Sequence, residues 1–324
     1  MTTTRRALLA TLPLLATPAL AQSGPWPNRP VRMVIPFPPG ASTDAVGRTT
    51  AAVIGARIGQ PVVAENRGGA GGNIGAEAVA KSAPDGYTLL ITTISAAVMG
   101  PHLYTGLGYD PVKDLAPVAR TCHTPNCIAV RADLPVNTLQ EAFDLIRSRP
   151  GALTMGSPGN GTSGHLIGES INRAAGLSLQ HIPYRGTAPM MTDLLAGRLD
   201  VVHDNLPAYL PQAREGKLKV LAVTSAERWY SAPEIPTVAE AANMPGFAAM
   251  IWWGVQAPAG TPAPILQRVA EAILEGFGTP EVKERLQSFS IQPAPLGAAE
   301  FADFMATEYR RWGEVVREAK ITLG

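Results

Sequence analysis

The chain has only two cysteines, Cys122 and Cys127, in 324 residues. So few thiols exclude a disulfide-stapled scaffold and a multi-cysteine zinc or iron–sulfur centre. Charge is also scarce. Charged residues make up 16% of the chain, and 27 Lys and Arg stand against 26 Asp and Glu. A surface so nearly balanced lacks the basic footprint that nucleic acid requires. No run of 18 apolar residues follows the N-terminal segment, so the rest of the chain reads as soluble. There is no P-loop, no Cys/His cluster at metal-ligand spacing, no pair of carboxylates at helical spacing and no usable internal repeat. These absences point away from a metal, a cofactor or a nucleic-acid partner.

Proline and glycine, by contrast, are plentiful, 30 and 32 residues, in a chain that is 46% apolar. That combination reads as many tight connections within a folded protein rather than disorder. Residues 1–21 stand apart as an export leader. Arg5 and Arg6 form a basic start, Ala7 to Ala16 an apolar stretch, and Ala19-Leu20-Ala21 a small-x-small cleavage site. The stretch is too short, and too broken by Pro13 and Pro18, to span a membrane. The paired arginines also suit the twin-arginine route. Cleavage would leave 25 basic against 26 acidic residues. In an oxidising compartment Cys122 and Cys127 favour a small-loop disulfide, with two free thiols and half a metal site as rivals. Strand geometry could hold the two side chains apart.

Beyond the leader, strand-like and helix-like segments alternate. Strands are expected at 31–36, 62–65, 88–93, 128–131, 154–157, 201–204, 220–224 and 252–257. Helices are expected at 44–58, 72–81, 139–148, 164–175, 188–196, 208–215, 264–276, 280–287 and 298–320. Such alternation predicts an α/β protein with mainly parallel sheets and a ligand site beyond the strands' carboxyl ends. The segmentation divides the chain into residues 28–121 plus about 223–324, and an inserted unit of about 122–222, with a cleft between them. Trp252 and Trp253 read as core or hinge packing. Phe301, Phe304, Met305, Tyr309, Trp312 and Val316 form a core-facing stripe at helical spacing.

The loops after the strands carry the chemistry. Val31 to Arg48 reads as a buried strand, a Pro/Gly loop and a helix start, with Ser42, Thr43 or Asp44 as the cap. A helix start of this kind offers free N–H groups and a positive dipole end to an anion. Residues 91–97, 156–165, 183–188 and 204–205 repeat the pattern of hydroxyls, glycines and amides at strand ends. Two opposed helix starts suit a small ligand with an acid group at each end. Catalytic alternatives fit less well. Gly161-Thr162-Ser163-Gly164-His165 only approximates a nucleophile elbow. Ser163 and His165 are too close in sequence for a usual triad, which leaves a secreted serine hydrolase as a weak alternative. Gly69-Ala70-Gly71-Gly72-Asn73-Ile74-Gly75 misses the dinucleotide spacing and reads as a tight turn with close helix–strand packing.

Eight segments in order carry a wider resemblance: PFPPGASTD, VVAENRGGAGGNIGA, APDGYTLL, YDPVKDLAPVA, HIPYRGTAP, LAVTSAERW, PEIPTVAEA and APAGTPAPI. From about Trp26 to Ile321 the chain resembles the Bug-type, or TctC-like, substrate-binding proteins of tripartite tricarboxylate transporters. The resemblance implies a type II periplasmic-binding-protein fold of two α/β domains closing on a ligand. It implies a periplasmic monomer that hands a small carboxylate to permease subunits and performs no chemistry. It places Phe37, Pro38, Gly40, Ser42 and Asp44 at the ligand, with Ala41 where a second glycine is usual. Ser95 and Ala96 join them from the same domain. The second domain would supply Ser157, Gly161, Thr162, Ser163 and His165, then Tyr184, Arg185, Gly186 and Thr187, with Arg185 replacing a commoner Lys. Asp204 matches an acidic position facing the cleft, suited to an amino group or to positioning Thr162. Few Lys or Arg in these loops favour a mono- or dicarboxylate over a tricarboxylate. A sensor subunit for a signalling partner is the alternative use of the same binding chemistry.

Overall fold

A computed structural model describes residues 25–319. The expected leader, residues 1–21, lies outside them. One half of the molecule begins with β1 (Val31–Ile35), α1 (Ser42–Ile58), β2 (Val62–Asn66), α2 (Asn73–Ala80), β3 (Thr88–Thr93) and a π-helical turn over Ser95–Met99. The long strand β4 (Leu115–Arg131) leads into the other half. That half holds α3 (Leu139–Ser148), β5 (Thr154–Ser157), α4 (Ser163–Ala174), β6 (Gln180–Pro183), α5 (Thr187–Leu195), β7 (Val201–Asn205), α6 (Leu206–Arg214) and β8 (Leu218–Val223). After α7 (Val238–Ala241), β9 (Met250–Pro258) returns to the first half, followed by α8 (Ala263–Phe277), α9 (Pro280–Ser288), β10 (Gln292–Leu296) and α10 (Ala298–Ala319).

The strands form one continuous path, β2-β1-β3-β9-β4-β7-β5-β6, with β8 and β10 also paired to β4. The N-terminal part of β4 bonds to β9 and β10, and its C-terminal part to β7 and β8. The sheet is mixed, not mainly parallel. β1 is parallel to β2 and β3, and β5 to β6 and β7, as helical crossovers require. β4 and β9, which carry the chain between halves, run antiparallel to their neighbours.

β4 is also far longer than the expected 128–131. Pro117 and Pro125 mask it in the sequence, because proline usually marks a strand's edge or end. Its register against β9 slips between Pro117 and Ala119 and again between Arg120 and Cys122. Those bulges absorb the irregularity. β6 went unforeseen because it is only four residues long and β10 because two of its five residues are proline.

The expected disulfide does not form. Cys122 and Cys127 are both free and buried. They sit five residues apart on one strand, so their side chains leave opposite faces. Cys122 packs with Trp253 and Val255 in the main core, and Cys127 with Met190 and Tyr209 in a second cluster. Five extended residues span roughly 16 Å, well beyond disulfide reach. Burial pushes the Cys122 thiol up to about 12 and Cys127 well above its usual value.

The aromatic stripe packs as the sequence predicts. Trp252 and Trp253 are fully buried. Trp252 stands edge-on to Phe301 and Phe304, at centroid distances of 5.6 and 5.5 Å. Its indole N–H and that of Trp312 both donate to the buried Glu308. α10 is thereby fastened across the first half.

Candidate functional site

Four helices begin at one place. α1 follows β1, α4 follows β5, α5 follows β6 and α6 follows β7, each after a short loop or none. Their first residues meet in an inner chamber of about 30 Å³. Ala41 and Thr43 come from the start of α1, Thr162 and Ser163 from α4, Thr187 from α5, and Asp204 and Asn205 from the end of β7, where Asn205 is the N-cap of α6. Phe37, Thr93, Ser95, Pro158 and Trp253 also line it, as do Ile94 and Ile251.

Three of these starts, α1, α5 and α6, have no side-chain cap. Only α4 is capped, by Thr162 Oγ1 accepting from the His165 N–H. The expected cap of α1 is therefore corrected: the N-cap is Ala41, and Ser42, Thr43 and Asp44 lie inside the first turn. Uncapped starts leave amide donors and a positive dipole end directed at the chamber, which suits an anionic group. Trp253 orients one hydroxyl there, its indole N–H donating to Thr43 Oγ1 at 3.0 Å.

The two halves touch across the cleft. The Ser163 N–H donates to Ser95 Oγ at 3.0 Å, and the Tyr104 hydroxyl to the Asn160 carbonyl at 3.0 Å. Gly71 takes a left-handed φ of 64° and lies so close to Gly161 that a Cβ would come within 3.1 Å of the Gly161 carbonyl oxygen. Two outer cavities flank the chamber. One, of about 310 Å³, is bordered by Pro39, Ser42, Met191 and Phe289. The other, of about 580 Å³, is bordered by the glycine loop 68–72, Tyr104, Asn160 and Tyr184. Phe37 and Pro158 line all three spaces. Arg185 and Gly186 line both outer cavities.

Most of the residues chosen from the sequence come together. Phe37, Pro38, Gly40, Ser42, Ser95, Thr162, Ser163, Tyr184, Arg185, Gly186, Thr187 and Asp204 line one or more of these spaces. Asp44, Ala96, Ser157, Gly161 and His165 stand behind that surface. Asp44 accepts from the Gly40 N–H, the Arg48 guanidinium and the Asn66 amide at 2.8–3.1 Å. Burial opposes its ionisation, but those donors together hold its carboxyl below the usual range. It shapes the loop that carries Phe37 and Pro38. Ala96 packs beside Leu90 and Tyr109. Gly161 donates its N–H to His165 Nδ1 at 3.3 Å.

His165 stacks on His181 with centroids 4.1 Å apart and planes within 11°. His181 Nε2 meets the fully buried Ser157 Oγ at 2.7 Å. Burial, reinforced by proximity, lowers His165 to about 4, and burial alone does the same to His181. His203 behind them is lowered to about 3, mainly by burial.

Asp204 is not bonded to Thr162. It accepts from the hydroxyls of Thr187 at 2.7 Å and Tyr209 at 3.2 Å, and from the Asn205 N–H at 2.8 Å. Burial raises it to about 6, partly offset by these donors. It therefore fixes the start of α5. The sequence shows Thr43 only as a cap candidate and Thr93 only within a polar strand-end loop, and it does not place Tyr104 or Trp253 at the cleft, because they arrive from segments distant in sequence. Asn205 was read only as a strand end. Its Oδ1 is buried at the chamber without a partner among the described residues.

Comparisons with known proteins agree with this architecture. The sequence profile of the tripartite tricarboxylate transporter family receptor, TctC, matches residues 46–321. The chain is 36% identical to protein BugT of Bordetella pertussis (strain Tohama I) over 305 residues, covering 94% of this chain and 93% of BugT. It superposes on the R. palustris protein Rpa4515, solved with adipate, with a TM-score of 0.88 at 35% identity, covering 92% of this chain and all of that one. It also superposes on MatC of Rhodopseudomonas palustris, solved with bound malate, with a TM-score of 0.84 at 32% identity, covering 90% of this chain and all of MatC. The fold is thus the two-lobed mixed α/β architecture of periplasmic binding proteins.

Proposed function

This chain belongs to the tripartite tricarboxylate transporter receptor family, and from that premise we propose that it captures a small carboxylate between its lobes and delivers it to the family's membrane permease. The observation that carries this reading is the convergence of four helix starts, three without side-chain caps, on one interlobe chamber. A carboxylate there receives backbone N–H groups from both lobes at once. Such a ligand binds the closed form best, so it shifts the open–closed equilibrium toward closure. The closed surface is then what the permease recognises.

In this reading residues 28–121 plus 223–324 form one lobe and residues 122–222 the other. The change of partners along β4 supports that division, because β4 leaves β9 and joins β7 near residue 126. The protein acts in the periplasm, as a monomer, and without catalysis. The surroundings of Ser163 favour binding over hydrolysis. Its N–H is engaged by Ser95 across the cleft, and His165 turns its Nδ1 to Gly161 and its ring to His181. The sole Ser–His hydrogen bond among the described residues, Ser157 to His181, involves neither a residue of the inner chamber nor one of the two outer cavities. Adipate and malate, bound by the two solved relatives, are the natural first probes.

Calorimetric titration of unfolded and refolded protein, freed of carried-over ligand, tests the reading. Adipate or malate should bind and raise Tm by several degrees, since ligand at about 100 times Kd adds roughly 2.7 kcal/mol. Their dimethyl esters should do neither. Equal binding of acid and ester, or binding of neither, overturns the assignment.

A further inference from the structure

We propose that Asn126, buried where the chain crosses between the two halves, opposes closure of the ligand-free protein and so sets how tightly a ligand is held without touching it. The part that concerns affinity rests on the carboxylate reading above; the part that concerns closure does not.

Hydrogen bonds define the crossing point. Pro125 of β4 is paired with Met250 of β9, and the next residue, Asn126, with Asn205 of β7. The chain returns between the halves by way of Thr224 and Ala249, and both are tied to the same place. The Asn126 N–H donates to Thr224 Oγ1 at 2.9 Å, and the Thr224 N–H to the Asn126 carbonyl at 2.9 Å. The Thr224 hydroxyl donates in turn to the Ala249 carbonyl at 2.7 Å. The backbone of Asn126 is therefore fully engaged.

Its side chain is not. Asn126 is fully buried, yet neither its Oδ1 nor its Nδ2 has a partner among the described residues. Two further buried oxygens at the crossing share that condition. One is Asn205 Oδ1, on the residue paired with Asn126, and the other is Ser225 Oγ, one residue beyond Thr224. Paired residues on neighbouring strands project to one face with Cβ atoms about 5 Å apart. Asn205 lines the inner chamber, whereas Asn126 lines none of the three spaces, so a ligand there meets the first and not the second.

The halves are in contact through Ser163 and Ser95 and through Gly71 and Gly161. In that arrangement the Asn126 amide must either stay unpaired or immobilise a water in a confined place, and both are unfavourable. Opening the cleft brings bulk water to Asn205 and to the amide beside it, which relieves the penalty. The penalty belongs to the closed form, loaded or empty. It lowers the population of closed, empty protein and weakens every ligand by one common factor.

Leucine matches asparagine in shape and has no polar group to satisfy. Ligand-free Asn126→Leu should therefore be more compact than ligand-free wild type in small-angle X-ray scattering. It should also bind adipate and malate about tenfold more tightly, by the same factor for both. Ser225→Ala, a gentler change that removes one unpartnered oxygen, should act in the same direction by about twofold and carries the test if Asn126→Leu does not fold. Ligand-free variants no more compact than wild type, or affinities that are unchanged, weaker or altered for one acid only, overturn the inference and leave carboxylate binding standing. If the wild type binds neither acid, the carboxylate reading falls, and the scattering of the ligand-free proteins alone decides whether Asn126 opposes closure.

Discussion

At the scale of single residues, close packing at the cleft matters as much as its polar groups. Gly164 in the first turn of α4 is an example. A Cβ there would press on the His203 carbonyl oxygen and come within 2.9 Å of Pro158 Cδ. α4 could then no longer sit so close to β7. Gly164→Ala should cost about 2 kcal/mol through overpacking and lower Tm by several degrees, read by thermal melts of ligand-free protein. The sequence showed Gly164 only as part of an imperfect nucleophile elbow. It gave no sign that the glycine is required by contact with a strand end forty residues later. Asp44 teaches the same lesson in reverse. Its place in the loop suggested a helix cap and the family resemblance placed it at the ligand, while in the fold its carboxyl is held by Arg48, Asn66 and Gly40. A side chain's partner is fixed by what the fold places beside it.

At the scale of elements, the helix starts trade stability against binding. Ala41 has the extended φ and ψ of an N-cap, −94° and 173°, but no oxygen with which to cap. Ala41→Ser should supply that oxygen and stabilise the ligand-free protein by about 0.5–1 kcal/mol. The hydroxyl would also occupy a first-turn amide that otherwise faces the chamber, so carboxylate affinity should fall. Denaturant melts and calorimetry on the same variant check both signs, and a rise in affinity would count against the anion-receiving role of α1. Helices were the most legible elements, with α3 matching its expected span of 139–148. Its periodicity and its Thr138–Glu141 capping box are both local signals. Strands at the crossings were least legible. β4 carries two prolines and two bulges, and β10 two prolines, so their pairing rests on distant partners rather than on local propensity.

At the scale of the whole molecule, the buried histidines govern the response to acid. Burial holds His123, His165 and His181 near 4 and His203 near 3, against an ordinary value of 6.5. The unfolded chain therefore takes up protons first, and each histidine costs stability as pH falls from about 6.5 toward 4. Asp204 acts in the opposite sense. Raised to about 6 from 3.8, it takes up its proton in the folded state first, so acidification favours the fold through that group. Four groups outweigh one, and stability should decline steadily between pH 6.5 and 4. In Asp204→Asn the opposing contribution is gone, and the decline should be steeper. Denaturant melts across that range measure both slopes; a stability that rises on acidification would contradict the buried, neutral state of the histidines.

The sequence by itself determined the α/β class, the alternation of elements, the polar character of the strand-end loops and, through eight ordered segments, the family. Those features depend on local periodicity, turn chemistry and the order of motifs along one chain. Only the tertiary structure decided that β4 and β9 make the sheet mixed, that Cys122 and Cys127 leave opposite faces of one strand, and that four uncapped or weakly capped helix starts share one small chamber. It also separated the residues that line the cleft from those, such as Asp44 and His165, that support it. These outcomes depend on contacts between residues tens to hundreds of positions apart. Strand register and close packing set such contacts, and no window of the sequence contains them.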